Sequence, residues 1–386
     1  MDRDLLIETL RAHRRYVNSV QGGQRAILRN FDFGGVKLAG VNLSDAVLTG
    51  SNFSGCDLSG SSFVSSDLFG ASFEGATLTN ADLNRADLRG AVFRGARMTG
   101  ANLNDADLRP GALVSAAAKP VDMSDADLDN SSMDQAKVDK ANMKNASMRG
   151  TSMRGMQGNE VDLSGADLSG ADLGNAKLKG VDLTGANMEK ANVDNANLKG
   201  AKMRGTILID VDLSHADLSS AQISRGAGKL SAELQHKMAK HALWVDSAGV
   251  TGERGIFKGF DLSGVDLAGA YLSGADLSGC TLVEVNLCTA QLMLADLSGA
   301  DLTGAQLREA EMNGANFKKS ILRDADAKFS HLGKVNIRGK DGKETGHMFP
   351  ANLSGADLTG ADFSNADMRG AVMDGAITEG TRMGNT

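Results

Sequence analysis

Proline and aromatic side chains are nearly absent from this 386-residue chain: 3 prolines, 4% aromatics and one tryptophan, against 47 glycines. So much glycine with so little proline excludes both a collagen-like triple helix and a Pro/Gly-rich disordered segment. Cysteine is equally scarce. Cys56, Cys280 and Cys288 are odd in number and far apart, which excludes a disulfide framework and points to a reducing, cytoplasmic setting. No stretch approaches the roughly 18 apolar residues of a membrane span. The opening MDRDLLIETLRAHRRYV is charged throughout, so no signal peptide is expected. Charges of both signs are interspersed and sum to only -7. Direct binding to nucleic acid or to an anionic membrane is therefore not expected.

What the chain has is a period. From Phe33 a large apolar residue returns at nearly every fifth position, through Leu38, Leu43, Leu48, Phe53, Leu58 and Phe63 to Leu108. The register resumes at Met123 after a proline-flanked interruption at 109–120 and runs to Ile223. A second run begins at Leu262 and ends at Ile337, and a third begins at Leu353. Ala sits two positions before the large residue and Asp or Asn one before it, as in Ala81-Asp82-Leu83. Five matches neither the 3.6 of a helix nor the 2.0 of a strand, so the chain must turn after every five residues.

These residues resemble the A(D/N)LXX motif of the pentapeptide-repeat family over about four-fifths of the chain. The resemblance implies an all-β solenoid, a right-handed quadrilateral β-helix with four pentapeptides per coil. Its Leu and Ala positions would point inward and the other three outward. With twenty residues per coil, Phe33, Phe53, Phe73 and Phe93 fall directly above one another and form an aromatic ladder. Gly and Asn near the corners supply backbone freedom, and small Ala beside large Leu fills a narrow interior.

Two non-repeat segments resemble each other. His13, Tyr16 and Arg25 correspond to His241, Trp244 and Arg254, each set preceding a repeat run, which indicates duplication of a cap plus a β-helix. Short α-helical caps are expected at about 3–19 and 231–246 from their helical apolar spacing, with Ser231 as N-cap and Glu233 in its first turn. The expected domains are a helical cap at 1–30, a first β-helix at 31–225 and a second cap and linker at 226–258. A second β-helix follows at 259–337, then an insertion loop at 338–350 and a continuation at 351–386. AITEGTRMGNT offers no comparable lid, which makes that end a candidate for homodimer contact.

No chemistry of catalysis emerges. Gly226-Ala-Gly228-Lys229 lacks the flanking residues of a phosphate loop, since Ile223 and Leu230 stand where glycine and Ser or Thr are needed. His236 and His241 are five apart, which does not put them on one helical face. Cys56 and Cys280 occupy small inward positions and read as packing. The aspartates keep one phase throughout and lack the nine-residue calcium pattern. No enzyme activity, metal or cofactor is expected.

Attention therefore falls on the surface. Asp67, Asp87, Asp107, Asp127 and Asp167 are expected to stack into one acidic stripe, partly offset by Arg89, Arg109 and Arg149. Lys37, Arg97, Lys137 and Lys177 are expected along another face. Phe69, Ile207, Ile209, Tyr271, Met293 and Leu294 break the outward polarity and are candidate partner contacts. The reading is a non-enzymatic protein-interaction scaffold that presents its faces and loops to partner proteins. The family resemblance implies an alternative, mimicry of duplex DNA by an acidic surface that binds DNA gyrase. A regulatory role for the loop 338–350 is weighed below a simple surface insertion.

Overall fold

The computed structural model describes residues 3–34, 36–112, 117–223, 230–338 and 344–383. Residues 224–229, with the glycine-lysine string, and the tip of the insertion at 339–343 lie outside the described residues. The chain divides into two compact units, Met1–Lys202 with Leu208–Gln222, and Met203–Ile207 with Ile223–Thr386.

In the first unit every fifth residue pairs in parallel with its counterpart one coil on, as in Val47 with Asp67, Asp67 with Asp87 and Asp87 with Asp107. Two hydrogen bonds define each contact. The amide of an inward residue donates to the carbonyl of the next coil, Phe53 to Ser72 at 2.7 Å, and the amide of Ser72 donates back to Ser51 at 2.9 Å. The result is a β-helical solenoid with four pentapeptides per coil. Its strands are a residue or two long because each face turns again at once.

The interior follows from the sequence. Leu43, Leu58, Leu68, Ala71 and Ala76 are fully buried, and so are Phe33, Phe53, Phe63, Phe73 and Phe93. The rings of Phe33 and Phe53, Phe53 and Phe73, and Phe73 and Phe93 stack at 4.4, 5.0 and 4.8 Å, nearly parallel. Phe63 packs edge-on against Phe53 and Phe73 at 5.7 and 5.9 Å. Corners need a left-handed residue, supplied by glycine at Gly60 (φ 63) and by asparagine at Asn80 (φ 56).

The Asp or Asn before each large residue has a local task. Asp82 Oδ1 accepts the amide of Asn84 two residues on at 3.0 Å, closing an Asx turn at the corner, and also accepts Asn102 Nδ2 from the next coil at 2.9 Å. The motif therefore satisfies a corner N–H that has no ladder partner.

The interruption at 109–120 is closed by an antiparallel pairing of Gly111 with Lys119, while 113–116 lie outside the described residues. Across it Asp107 pairs with Lys137 and Arg97 with Asp127, thirty residues on in each case instead of twenty. Ten additional residues are thus spliced into a coil, and every later residue lies two faces round from where unbroken counting would put it.

Helix α1 (Arg3–Val17) belongs to the first unit and α2 (Ala232–Asp246) to the second. Ser231 Oγ caps α2 by accepting the amide of Leu234. Each helix is joined to its first coil through a buried histidine. His13 Nδ1 accepts the amide of Ala26 at 3.1 Å, and His241 Nδ1 accepts that of Gly255 at 3.0 Å. Tyr16 and Trp244 lie over these imidazoles at the same 5.7 Å and 18°. Arg25 Nε donates to the Asp45 carbonyl, and Arg254 Nε to that of Gly274 at 2.6 Å.

In the second unit the ladder runs Ile256, Asp276, Asp296, Asn316 and then Asn352. The long last step admits a hairpin of β1 (Lys334–Arg338) and β2 (Glu344–Pro350), antiparallel with Val335 opposite Phe349. The inserted segment is thus a two-stranded ribbon that begins four residues before the expected loop.

Two outcomes follow. Phe73→Ala, which removes the centre of the ladder, is expected to destabilise the first unit by about 3–5 kcal/mol in a urea titration, with nearby rings unable to collapse into the gap. Burial first, and the nearby Arg254 second, lower the His241 pKa from 6.5 to about 4. The folded state thus favours the neutral ring that accepts the Gly255 amide. The stability it provides is complete above pH 6.5 and is lost as pH falls towards 4, on the order of 3 kcal/mol in all. Denaturation of the second unit across this window should show that loss, and His241→Gln should flatten it.

Candidate interaction surfaces

The carboxylates expected to form one stripe fall into two columns. Asp67, Asp87 and Asp107 do stack, but the next member of their column is Lys137, followed by Gln157, Lys177 and Asn197. Asp127 and Asp167 belong to the column of Lys37, Asp57, Thr77 and Arg97, two faces away. The expected basic series divides in the same way, Lys37 and Arg97 from Lys137 and Lys177. The physical reason is the ten-residue splice, which preserves the five-residue phase while changing the face.

Two of the three stacked aspartates are also compensated. Arg89 grips Asp87 with Nε at 2.8 Å and Nη2 at 2.6 Å, and Arg109 holds Asp107 in the same manner at 2.9 and 2.6 Å. Arg89 Nε also lies 3.9 Å from Asp107. Burial alone would raise the Asp107 carboxyl, but its hydrogen bonds to Arg109 and the charges of Arg109 and Arg89 outweigh this and hold it below the usual range. Asp67 accepts the hydroxyl of Thr49 at 2.9 Å. Arg149 does not join this group. It binds Asp129, whose side chain is only 11% exposed and also accepts Ser147 Oγ and the Arg149 amide.

The outward apolar residues divide as well. Ile207 is buried at 4% exposure and Ile209 is half-buried. The segment Met203–Ile207 is turned towards α2, where a Cβ on Gly205 would meet the Met238 carbonyl oxygen at 2.7 Å and Ala242 Cβ at 2.8 Å. Tyr271 is half-buried beneath the Arg204 guanidinium, 4.3 Å from the ring centre, and Phe69 lies under Arg89 at 5.2 Å. Only Met293 and Leu294 are well exposed, at 37% and 36%. Sequence reasoning missed their companions Met348 and Phe349 on β2, exposed at 52% and 43%. The signal was present in the string His347-Met348-Phe349, two bulky apolar residues in an otherwise polar insertion. The cap residues His13, Tyr16, Arg25, His241, Trp244 and Arg254 come together as two matching clusters.

The family model for pentapeptide repeats, a unit of eight copies, matches residues 26–64, 71–109, 121–155, 159–193, 194–225, 261–299, 290–326, 300–339 and 351–386. The chain belongs to the pentapeptide-repeat family. Among curated proteins none matches it. Similar solved structures include HetL, a pentapeptide repeat protein involved in heterocyst differentiation regulation from the cyanobacterium Nostoc. It is 19% identical over 96% of this chain and 94% of that one, with a TM-score of 0.26. QnrB1, a plasmid-mediated fluoroquinolone resistance protein, is 19% identical over 60% of this chain and 100% of that one, with a TM-score of 0.26. Rfr23 from the cyanobacterium Cyanothece is 31% identical over 34% of this pentapeptide-repeat chain and 85% of that one, with a TM-score of 0.16. No described helix is long and apolar enough to cross a membrane.

Arg149→Ala would leave the largely buried Asp129 carboxylate without its cation. A loss of about 1–3 kcal/mol in chemical denaturation of the first unit is expected, with partial recovery when Asp129→Asn is added.

Proposed function

We propose that this pentapeptide-repeat protein is a non-catalytic interaction scaffold that offers the side chains of its solenoid faces and its hairpin to partner proteins. The observation that carries this reading is the fate of the outward charges. They are consumed by Asx turns, coil-to-coil ladders and bidentate Arg–Asp pairs such as Arg89 with Asp87, so the faces are of mixed sign and specific in pattern. Such a surface selects a partner by complementarity of detail and not by bulk potential. Right-handed winding, the action of α1 and α2 as lids and a cytoplasmic location belong to the same proposal. So does self-association through the last described coil, where Ile377 and Met383 are exposed at 53% and 39%.

The gyrase reading draws on one observation, the column Asp67–Asp87–Asp107. Carboxylates at the coil spacing of about 4.8 Å are sparse beside DNA, which carries a charge about every 1.7 Å of axis. Here they last three coils before Lys137, and two of them, Asp87 and Asp107, are paired with arginines.

A gyrase supercoiling assay separates the two readings. At sub-micromolar protein the scaffold reading predicts no inhibition and no protection from quinolone. Inhibition that disappears when Asp67, Asp87 and Asp107 are all changed to Asn would establish DNA mimicry instead.

A further inference from the structure

Corner positions project furthest into solvent, and those of the left-handed kind are filled by glycine or by polar residues such as Asn80, Arg85, Asp105 and Lys140. Among the described residues Leu294 (φ 58) and Phe329 (φ 60) are the large apolar exceptions. A branched side chain at this φ is strained, and strain of this kind concentrates at functional surfaces. Phe329 stands alone on its corner, whereas Leu294 does not.

The corner of Leu294 can be followed from coil to coil through its main-chain bonds. The Gly274 amide donates to Met293 O, that of Leu294 to Asn313 O and that of Gly314 to Gly333 O. At Gly274 the indole of Trp244 lies 3.4 Å from the position a Cβ would take. At Gly314 the same position is approached by Val335 Cγ1 at 2.5 Å, Leu294 Cδ2 at 3.0 Å and the Phe349 carbonyl at 3.2 Å. Gly314 is thus the floor on which the hairpin rests. One corner of the second unit therefore carries Trp244, Met293 and Leu294 along its length, and Val335 and Phe349 of the hairpin meet it at Gly314.

We propose that this corner, from Gly274 to Gly333, docks a basic amphipathic helix of a partner protein, and so supplies the contact face that the scaffold reading requires. Three features select that occupant. The corner amides and carbonyls already bond to neighbouring coils, so an added strand has nothing to pair with and side chains must make the contact. Three coil steps span about 14 Å, which is about ten residues of helix at 1.5 Å each. That length presents apolar anchors at i, i+3 or i+4, and i+7. Met293 at its centre gives the strip an adaptable, unbranched contact.

Charge decides the sign. Asp276 and Asp296 flank the strip on one side, bound through Oδ1 to the Ser278 and Ser298 amides and without a Lys or Arg ion pair among the described residues. Glu311 flanks the other side, 3.8 Å from His331. Arg254, which donates to the Gly274 carbonyl, and Lys258 both act on Asp276. Arg204 lies over Tyr271, two coils from Glu311, and the Lys334 stem packs against Gly370. Asp296 and Glu311 therefore carry most of the acidic character. Lysines and arginines flanking a helix's apolar face would find these carboxylates.

Trp244 is the only tryptophan in the chain and stands at one end of the strip, so its emission reports occupancy. The probe is a short amphipathic Leu/Lys peptide, with a scramble of the same composition and a Leu/Glu counterpart as controls. Saturable binding with a shift in emission is expected for the Leu/Lys peptide alone. Met293→Ser with Leu294→Ser should weaken it by about tenfold or more, as removal of central apolar anchors does. Asp296→Asn with Glu311→Gln, which leaves the apolar residues and the packing in place, should weaken it several-fold and reduce its salt dependence. Equal binding of the scramble, no saturation, or unchanged affinity in both variants would overturn the proposal. If the peptide fails while both variants retain the proteins that the full chain captures from a native extract, the scaffold reading stands and this strip is excluded as its contact face.

Discussion

Everything in this molecule depends on a hydrogen bond that joins each large inward residue to a carbonyl of the next coil, nineteen positions later where the coil is unbroken, as Phe53 is joined to Ser72 and Leu297 to Asn316. A single coil can neither satisfy its backbone nor bury its leucines. Two adjacent coils can do both at once, because the bond that aligns the main chain also stacks the side chains. Stability is therefore local and nearly additive along each unit, in the manner of a one-dimensional array. A narrow column leaves no room for bulky aromatic packing in general, and the phenylalanines are accommodated because they lie flat upon one another.

The same constraint fixes what the surface can be. Each face contributes one outward residue beside the ladder and two at the corner, and the aspartate or asparagine beside the ladder is claimed by the corner amide two residues on. Carboxylates so abundant in the composition are therefore structural first, as Asp82 and Asp296 illustrate. Where arginine follows, as at Arg89, Arg109 and Arg369, the charge is closed into a fork within the same corner. A formal excess of acid thus yields a finely mixed surface, and the features that stand out against it are apolar ones.

Much of the fold was legible because its period is short and strict. Phe33, Phe53, Phe73 and Phe93 declare the coil length, and the matched triplets His13, Tyr16, Arg25 and His241, Trp244, Arg254 declare the two helices and their first coils. The faces were not legible beyond Arg109. An insertion of ten residues is a whole number of pentapeptides, so it leaves the phase intact while rotating Asp127 and Lys137 onto each other's expected columns. The pairings of Arg97 with Asp127 and of Asp107 with Lys137 reveal it. Ile207 was misjudged for a related reason: its outward phase says that it leaves the core, but not that its segment is turned towards α2. Met348 and Phe349 escaped notice because they belong to no repeat, and the place of Phe349 has meaning only once the corner beneath the hairpin is known.

Spin labels test the twenty-residue ladder and its thirty-residue step together. With labels at Asp107 and Lys137, continuous-wave spectra should show the strong dipolar broadening of neighbours in adjacent coils. Labels at Asp107 and Asp127, twenty apart but on opposite faces, should show little. Broadening of the second pair and not the first would contradict the pairing on which the columns, the charge pattern and the surfaces all rest.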